Sequence, residues 1–233
     1  MTSRGLQGRQ RLLPSNLDRF GHRQRIGRAL YSECARFHGT ILDVGCGRMP
    51  HRSMVMAPPS KATSYVGIDL PGSGYGDPHV VWDGHTIPLA DSSVECALAT
   101  EVFEHCPNVG NTMREIIRVL KPGGVLFFTV PFLWPLHDTP HDEYRYTPYS
   151  IERHLKGAGF VAVSIAVLGG WDAALAQMLG LWVRRRPMAG WMRRVLSVVA
   201  VPLVWGLLAR DHPGTPFGEG TMLTGISGTA AKP

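Results

Sequence analysis

The middle of the chain alternates between short apolar runs and stretches in which apolar residues recur at helical spacing. Short apolar runs bounded by turn residues are typical of buried strands, and a recurrence every three or four residues is typical of helices. Because strands and helices alternate, we expect an α/β protein with a doubly wound parallel sheet and right-handed crossovers. The pattern predicts strands over about 40–45, 64–69, 79–82, 94–99, 125–130 and 160–168, helices over 50–56, 108–120 and 148–158, and a last strand over 221–230.

Two further segments flank this alternating part. Apolar residues recur at near-helical spacing over 16–37, and residues 171–210 are strongly apolar and predicted to be helical. The longest apolar run, 195–209, is shorter than the roughly 20 residues that span a bilayer, so we expect contact with a membrane surface at most. The predicted organisation is a basic extension and helix over 1–37, a core over 38–170, a helical cap or insertion over 171–215, and a last strand and tail over 216–233.

Composition and charge limit the class of protein. A chain of 233 residues with 44% hydrophobic and 18% charged residues fits one α/β domain with an insertion. The net charge of +6 comes from the first 36 residues. This basic segment either contacts an anionic surface or is a solvated tail; we favour the tail and expect no nucleic-acid partner. The cysteines have no zinc-binding spacing and no signal peptide opens the chain, which indicates a cytoplasmic protein with reduced thiols.

Three predicted strands end in residues that suit a nucleoside. Gly45 and Gly47 follow the first strand and have no Cβ, so a ligand can approach their backbone. Asp69 ends the second strand, where an acid accepts hydrogen bonds from both ribose hydroxyls. Asp83 follows the third strand and would accept from the adenine amino group, while Gly84 leaves room for the ring. Each acid alone could simply cap a turn, but their placement at successive strand ends favours a nucleoside site.

The lack of phosphate-binding motifs limits which class of nucleotide ligand the site could bind. A dinucleotide-binding loop has a third glycine where this chain has Pro50, and a nucleoside triphosphate loop needs a Gly-Lys-Ser/Thr segment, which the sequence lacks. We therefore expect a ligand that contains adenosine without phosphate groups. An NAD-dependent oxidoreductase and a binding protein without turnover are the alternatives from other classes.

Six segments of the chain occur in a fixed order: LDVGCG (42–47), YVGIDL (65–70), VVWDGHTIPLADSS (80–93), TEVFEH (100–105), EIIRVLKPGG (115–124) and FFTVP (127–131). They resemble the successive motifs of class I S-adenosylmethionine-dependent methyltransferases, in the methyltransferase type 11 group that includes the ubiquinone-pathway enzymes. The resemblance covers residues 40–168. It implies a Rossmann-like seven-stranded sheet with one antiparallel strand, formed by 221–230, and S-adenosyl-L-methionine as the cofactor.

The resemblance also implies which residues bind this cofactor. Gly45 and Gly47 would flank its methionine part, and backbone at Thr100 and Glu101 would border it. The chain departs from the family pattern by having Met49 or Pro50 in place of the third glycine. The implied cofactor-binding residues are Asp43, Gly45, Cys46, Gly47, Asp69, Leu70, Asp83, Gly84, Thr100 and Glu101.

A cluster of two acids and a histidine follows the fourth strand. If this segment is a helix, Glu101, Glu104 and His105 share one face and could hold Mg²⁺, which would lower the pKa of a substrate hydroxyl. The string is similar to the cation site of ubiquinone-pathway O-methyltransferases and of a small-RNA 2′-O-methyltransferase. The alternative is a helix start with acids near its positive end and a packed histidine.

The loop after the fifth strand carries further candidate chemistry. This loop is expected to lie at the carboxyl edge of the sheet, where loops often contain functional residues. His137 or His141 could act as a general base or a further metal ligand. Tyr144, Arg145 and Tyr146 could contact the methyl acceptor. The alternative is a surface loop whose histidines and acids satisfy one another.

The apolar segment 171–210 contains tryptophans together with arginines at 184–186 and 193–194. It suits a lid over an apolar substrate or an interfacial helix, with peripheral membrane contact through 184–210 at the inner membrane face; a packed cap or a dimer surface are the alternatives. The resemblance to the methyltransferases implies methyl transfer to a small molecule, and the loop PHDEYRYT (140–147), which is similar to loops of related proteins, implies an oxygen of a sugar, a polysaccharide precursor or another hydroxylated metabolite as the acceptor. A lipid or quinone-like acceptor at the membrane is the runner-up.

Overall fold

The computed structural model describes residues 11–72, 74–212 and 217–233. Three parts of the predictions lie outside the described residues. They are residues 1–10 of the basic extension, Ser73 in the loop after the second strand, and residues 213–216 at the end of the predicted cap.

Strands and helices alternate through the described chain as the apolar pattern predicts. The strands are β1 (His38–Val44), β2 (Lys61–Asp69), β3 (Val80–Val81), β4 (Val94–Thr100), β5 (Leu120–Pro131), β6 (Val161–Leu168) and β7 (Gly225–Ala231). The helices are α1 (Phe20–Glu33), α2 (Arg52–Val55), α3 (Val109–Val119), α4 (Pro148–Ala158), α5 (Trp171–Arg185) and α6 (Gly190–Arg210), with 3₁₀ turns at Cys34–Arg36 and Phe103–His105.

These strands form one seven-stranded sheet in the order β3-β2-β1-β4-β5-β7-β6. The pairs β1–β2, β1–β4, β2–β3 and β4–β5 are parallel. One strand is antiparallel, in line with two hydrogen bonds beside β7, from Gly123 N to Lys232 O at 3.0 Å and from Lys232 N to Gly124 O at 2.9 Å. The predicted Rossmann-like fold is therefore confirmed. Since the order reverses between β1 and β4, a ligand crevice is expected at their carboxyl ends.

The chain divides into two compact units. The larger comprises 30–131, 135–165 and 227–233, and the smaller comprises the described residues up to Ala29 together with 132–134 and 166–226. The larger unit has a buried core that includes Ile41, Leu42 and Phe127. Every residue predicted to bind cofactor, metal or substrate belongs to the larger unit.

Local sequence signals explain the helix ends. Thr147 and Ser150 form a reciprocal capping box at the start of α4, and Pro148 occupies its first turn. Gly159 ends the helix with a positive φ of 107°, a conformation that glycine adopts without a steric penalty. The bounds of α4 therefore coincide with the predicted 148–158.

The predicted start of β5 is wrong. Residues 121–124 lie between the predicted helix over 108–120 and the predicted strand over 125–130, yet they belong to β5, which begins at Leu120, the partner of Val94 in β4. The apolar run 195–209 lies within α6, which extends beyond it to 21 residues. By length and composition alone α6 could cross a membrane, although one such helix is weak evidence.

In the smaller unit, α5 and α6 pack on each other and on the segment before α1. Their buried contact comprises Ala176 and Val183 from α5, Ala200 and Val204 from α6, and Leu17. Two ion pairs add to it, from Arg185 to Asp18 at 2.7 Å and from Arg25 to Asp211 at 3.2 Å.

Candidate functional site

The glycine turn after β1 forms an open cradle. Gly45 has φ of +62°, and a Cβ at this position would lie 2.6 Å from Cγ2 of Val102. Gly47 has φ of +49°, which an L side chain rarely adopts. Cys46 between them is buried, and its N–H donates to Ile68 O at 3.0 Å. The turn can therefore hold only glycine at 45, and it leaves backbone accessible to a ligand.

Asp69 lies at the carboxyl end of β2, beside this turn. Its Oδ2 accepts a hydrogen bond from Gly47 N at 2.9 Å, and its Oδ1 accepts one from Leu70 N at 2.8 Å. Each carboxylate oxygen has a second lone pair, so the group retains capacity for further donors. The structure thus brings Gly47, Asp69 and Leu70 together as the sequence indicates.

Asp83 lies two residues beyond β3 and is exposed. Its Oδ1 accepts hydrogen bonds from His85 N at 2.7 Å and Thr86 N at 2.8 Å, which lower the pKa of the carboxyl group. Asp83 therefore caps its own turn, and its second oxygen is available to a ligand. A Cβ at Gly84 would lie 3.3 Å from Cδ2 of Leu70, so Leu70 and Gly84 are neighbours.

Asp43 is buried below the cradle. Tyr65 donates its hydroxyl proton to Asp43 Oδ2, while Oδ1 has no hydrogen-bond partner within the described chain. Burial raises the pKa of Asp43 to about 7. An orphaned buried carboxylate oxygen under a glycine cradle fits a ligand that brings hydrogen-bond donors or a positive charge. This fits the amino acid end of S-adenosylmethionine.

The helical face predicted for Glu101, Glu104 and His105 does not form. Glu101 has φ of +57°, and a 3₁₀ turn of three residues follows at Phe103–His105 instead of a helix. The side chain of Glu101 accepts a hydrogen bond from Thr129 Oγ1 at 2.8 Å, beside the end of β4 at Thr100. Glu101 therefore does not share a helical face with the other two residues.

A different triad forms in its place. One ligand atom each of Glu104, His105 and His137 lie within 4.8 Å of one another, a spacing that could hold a metal ion. Glu104 is fully buried, and neither carboxylate oxygen has a hydrogen-bond partner within the residues described. Burial and the nearby charge of Glu101 raise the pKa of Glu104 well above its usual value. Such a carboxylate is stabilised in its ionised form only if a cation or a proton donor approaches it.

Two hydrogen bonds orient the histidines of this triad. Nδ1 of His105 lies 3.0 Å from the carbonyl oxygen of His141, which can only accept, so Nδ1 donates and Nε2 faces Glu104 Oε1 at 3.7 Å. Nδ1 of His137 lies 3.2 Å from Asp142 Oδ2. Arg145 binds both oxygens of Asp142 and holds the pKa of that carboxyl group well below its usual value. A carboxylate-oriented imidazole of this kind serves either a metal ligand or a general base.

The candidate residues in the loop after β5 have different roles in the structure. His141 contributes its backbone carbonyl, and its side chain is exposed. Arg145 is occupied in orienting Asp142. Tyr146 is buried, and its hydroxyl donates to Phe103 O at 3.1 Å, so its expected contact with the acceptor is corrected to a packing role. Tyr144 is half-exposed and donates to Pro107 O at 3.2 Å.

Tyr75 is a site residue that the sequence reasoning missed. A Cβ at Gly47 would lie 3.8 Å from Cβ of Tyr75, so the tyrosine lies beside the glycine turn. Its hydroxyl donates to Asp138, with both carboxylate oxygens at 3.0 Å, and Asp138 Oδ2 lies 4.0 Å from Nε2 of His105. Tyr75 therefore links the cradle to the triad. The only sequence signal was a tyrosine among glycines in the loop 71–78.

Most residues of this site lie in a region of the chain that matches a known enzyme family. A family model described as "Methyltransferase domain" matches residues 42–128, which include the cradle, Asp69, Asp83 and the triad acid Glu104. The matched part of the chain is therefore a methyltransferase domain of the class I, S-adenosylmethionine-dependent type.

Individual relatives agree with this assignment. An uncharacterized methyltransferase of Mycobacterium sp. (strain KMS) is 29% identical over 174 residues, which cover 65% of this chain and 68% of that protein. A methyltransferase from Archaeoglobus fulgidus superposes with a TM-score of 0.57 at 15% identity and covers 94% of this chain and 97% of its own. Phosphoethanolamine N-methyltransferase 2 of Haemonchus contortus, solved with S-adenosyl-L-methionine, gives a TM-score of 0.53 at 15% identity, over 100% of this chain and 60% of that one. The two structures support the fold.

Proposed function

We propose that this methyltransferase methylates an oxygen of a small hydroxylated acceptor, such as a sugar or a polysaccharide precursor. The observation that carries the proposal is the oriented imidazole of His137. Asp142 accepts from its Nδ1, and Arg145 holds Asp142 by two hydrogen bonds of 2.6 and 2.8 Å. An acceptor hydroxyl must lose its proton as it attacks a methyl group, and a positioned base supplies this step.

The residues around the cradle suit the cofactor of this reaction. Asp69 would hold the ribose, Asp83 the adenine amino group, and Gly45 and Gly47 the methionine part. When bound, S-adenosylmethionine supplies a methyl group on a positively charged sulfur. The protein then has to hold the acceptor in line with that methyl group and remove one proton.

In this mechanism His137 takes the proton of the acceptor hydroxyl on Nε2. Its Nδ1–H keeps donating a hydrogen bond to Asp142. The carboxylate of Asp142 thereby stabilises the imidazolium that forms, as a carboxylate partner does in other base-catalysed sites. Exposed polar groups nearby, Asp138 and His141, suit an acceptor with several hydroxyl groups.

An acceptor screen tests the proposal. Purified enzyme is incubated with isotope-labelled S-adenosylmethionine and matched panels of sugars and nucleotide-sugars, simple amines, and quinols or phospholipids. We expect labelled products from the hydroxylated panel, identified as methyl ethers by mass spectrometry and by their stability to mild base. Products confined to the amine panel would overturn oxygen transfer, and products confined to the quinol or lipid panel would favour the apolar acceptor instead.

A second candidate is cation-assisted transfer, because the triad of Glu104, His105 and His137 has metal-ligand spacing and a buried carboxylate without a hydrogen-bond partner in the described chain. Mg²⁺ or a similar cation would stabilise the ionised form of the acceptor hydroxyl. Its nitrogen-rich ligand set also suits Mn²⁺ or Zn²⁺.

Removal of the metal distinguishes the two candidates. If a cation takes part, EDTA lowers kcat by about 100-fold, Mn²⁺ or Mg²⁺ restores it, and Glu104→Gln abolishes the Mn²⁺ binding that electron paramagnetic resonance detects. The control is Glu152→Gln, at a partly exposed glutamate of α4 that pairs with Lys156, and it should retain both the activity and the Mn²⁺ binding. Full activity in EDTA together with an active Glu104→Gln variant would remove the cation from the mechanism and leave His137 as a base alone.

A further inference from the structure

Helix α5 presents an apolar stripe to solvent. Its exposed residues are Trp171, Leu175, Met178 and Trp182, spaced by four, three and four positions, so they lie along one helical face. Trp171 is 70% exposed and Trp182 is 44% exposed. The opposite face, with Ala176 and Val183, is buried. The exposed stripe is therefore separate from the core of this unit.

Helix α6 repeats this arrangement over a greater length. Its exposed apolar residues are Trp191, Val195, Val198, Val199, Leu203 and Trp205, while Ala200 and Val204 are buried on the other side. A helix of 21 residues is about 30 Å long. We call the two exposed stripes together the apolar helical face. Two helices that each expose a row of large apolar side chains are unusual on a soluble surface, and such rows mark interaction sites.

The charges beside this face are almost all positive. From residue 171 to residue 212 the sequence has six arginines, of which five lie at 184–186 and 193–194, where α5 ends and α6 begins. The two acids of the segment are Asp172 and Asp211, and Asp211 is paired with Arg25. Of the clustered arginines, Arg185 is paired with Asp18, which lies outside the segment. The guanidinium of Arg186 lies 4.2 Å from the centre of the Trp182 ring. Apolar surface, tryptophan rings and arginines thus occur together.

We propose that the apolar helical face docks on the surface of a bilayer that contains anionic lipids. Tryptophan is enriched at the boundary between headgroups and acyl chains, and arginine pairs with anionic headgroups. The absence of acids along α6 matches a negatively charged surface.

The packing of α6 favours docking over spanning. Ala200 and Val204 are buried against the other side of the unit, so a spanning orientation would have to separate α6 from α5 and Leu17. A helix with one face packed on its own protein and one apolar face in solvent suits the interfacial layer, where it lies in the plane of the membrane.

Vesicle sedimentation tests the proposal. We expect the purified protein to sediment with vesicles of phosphatidylcholine and phosphatidylglycerol, more weakly with pure phosphatidylcholine, and more weakly at high salt. Val198→Asp and Leu203→Glu place a charge on the exposed face and should lower the bound fraction at least tenfold. The matched control is Val161→Asp, because Val161 is a similarly exposed valine at the start of β6, outside the face.

Tryptophan emission supplies a second readout. Wild-type protein should show a blue shift with anionic vesicles, and Trp205→Phe should reduce it. Absence of sedimentation with anionic vesicles at low salt would overturn the proposal, and so would an equal loss of binding in Val161→Asp. A dimer that Val198→Asp dissociates would overturn it too, because the face would then be a contact between copies. Resistance of cell-membrane-bound protein to alkaline carbonate would indicate a spanning α6 and would also overturn it.

Discussion

Replacing Asp69 with asparagine is expected to weaken the binding of S-adenosylmethionine about 100-fold. The carboxylate would accept two hydrogen bonds from the ribose hydroxyls, and charged acceptors of this kind contribute about 1.5–3 kcal/mol each. Asparagine keeps the size of the side chain but loses the charge and one acceptor oxygen. A loss of about 3 kcal/mol corresponds to the stated change in Kd, which calorimetric titration measures.

The matched control for this change is Asp77→Asn, in the exposed loop that follows β2. It should bind the cofactor as the wild-type protein does. Asp69 also accepts from Gly47 N and Leu70 N, so thermal unfolding without ligand should be recorded for both variants. An Asp69→Asn variant that unfolds normally and binds S-adenosylmethionine with unchanged Kd would contradict the assignment of Asp69 to the ribose.

Replacing His137 with alanine is expected to lower kcat by 10²- to 10⁴-fold, with little change in the affinity for the cofactor. This is the usual loss when a positioned general base is removed. Added imidazole should restore part of the rate, because a small base can enter the space that the side chain leaves. Asp142→Asn should give a smaller loss, since it weakens the orientation of the ring and leaves the base in place.

Two other histidines make this prediction specific. His38→Ala, at the amino end of β1, is the control and should keep full activity. His141→Ala decides between the two loop histidines, because the structure uses the backbone carbonyl of His141 and leaves its side chain exposed. A contradicting result would be a 10²- to 10⁴-fold loss of kcat in His141→Ala together with an active His137→Ala variant. The base would then be His141 and not His137.

Local signals made most of the fold predictable. The ends of α4 follow from Pro148 and Gly159, which act through neighbouring backbone alone. The start of β5 was missed because the pairing of Leu120 with Val94 and of Gly123 with Lys232 depends on distant parts of the chain. A Pro-Gly-Gly segment looks the same to sequence reasoning whether or not such partners exist.

The site, like the fold, has parts that the sequence predicts and parts that depend on distant contacts. Gly45, Gly47 and Asp69 were predictable, because the carboxyl ends of adjacent parallel strands must meet at one edge of a sheet. The geometry of Glu101 was not, because its left-handed backbone conformation accompanies a contact with Thr129 on the neighbouring strand. The bond from Tyr75 to Asp138 joins residues 63 positions apart, and no local pattern reports it.

The apolar segment shows a third limit of the sequence. Composition predicted apolar helices over 171–210, but it did not show which face of each helix is buried. The packing of Ala200 and Val204 with Leu17 settles this within the smaller unit and leaves Val198 and Trp205 in solvent. Helical periodicity was hard to read there because both faces of α6 are apolar.

Calorimetric titration of the wild-type protein with S-adenosylmethionine tests the central claim most directly. We expect one site per chain, competition by S-adenosylhomocysteine for the same site, and no comparable binding of NAD. Absence of binding heat at several temperatures, or tighter binding of NAD than of S-adenosylmethionine, would contradict the account of the cradle formed by Gly45, Gly47 and Asp69.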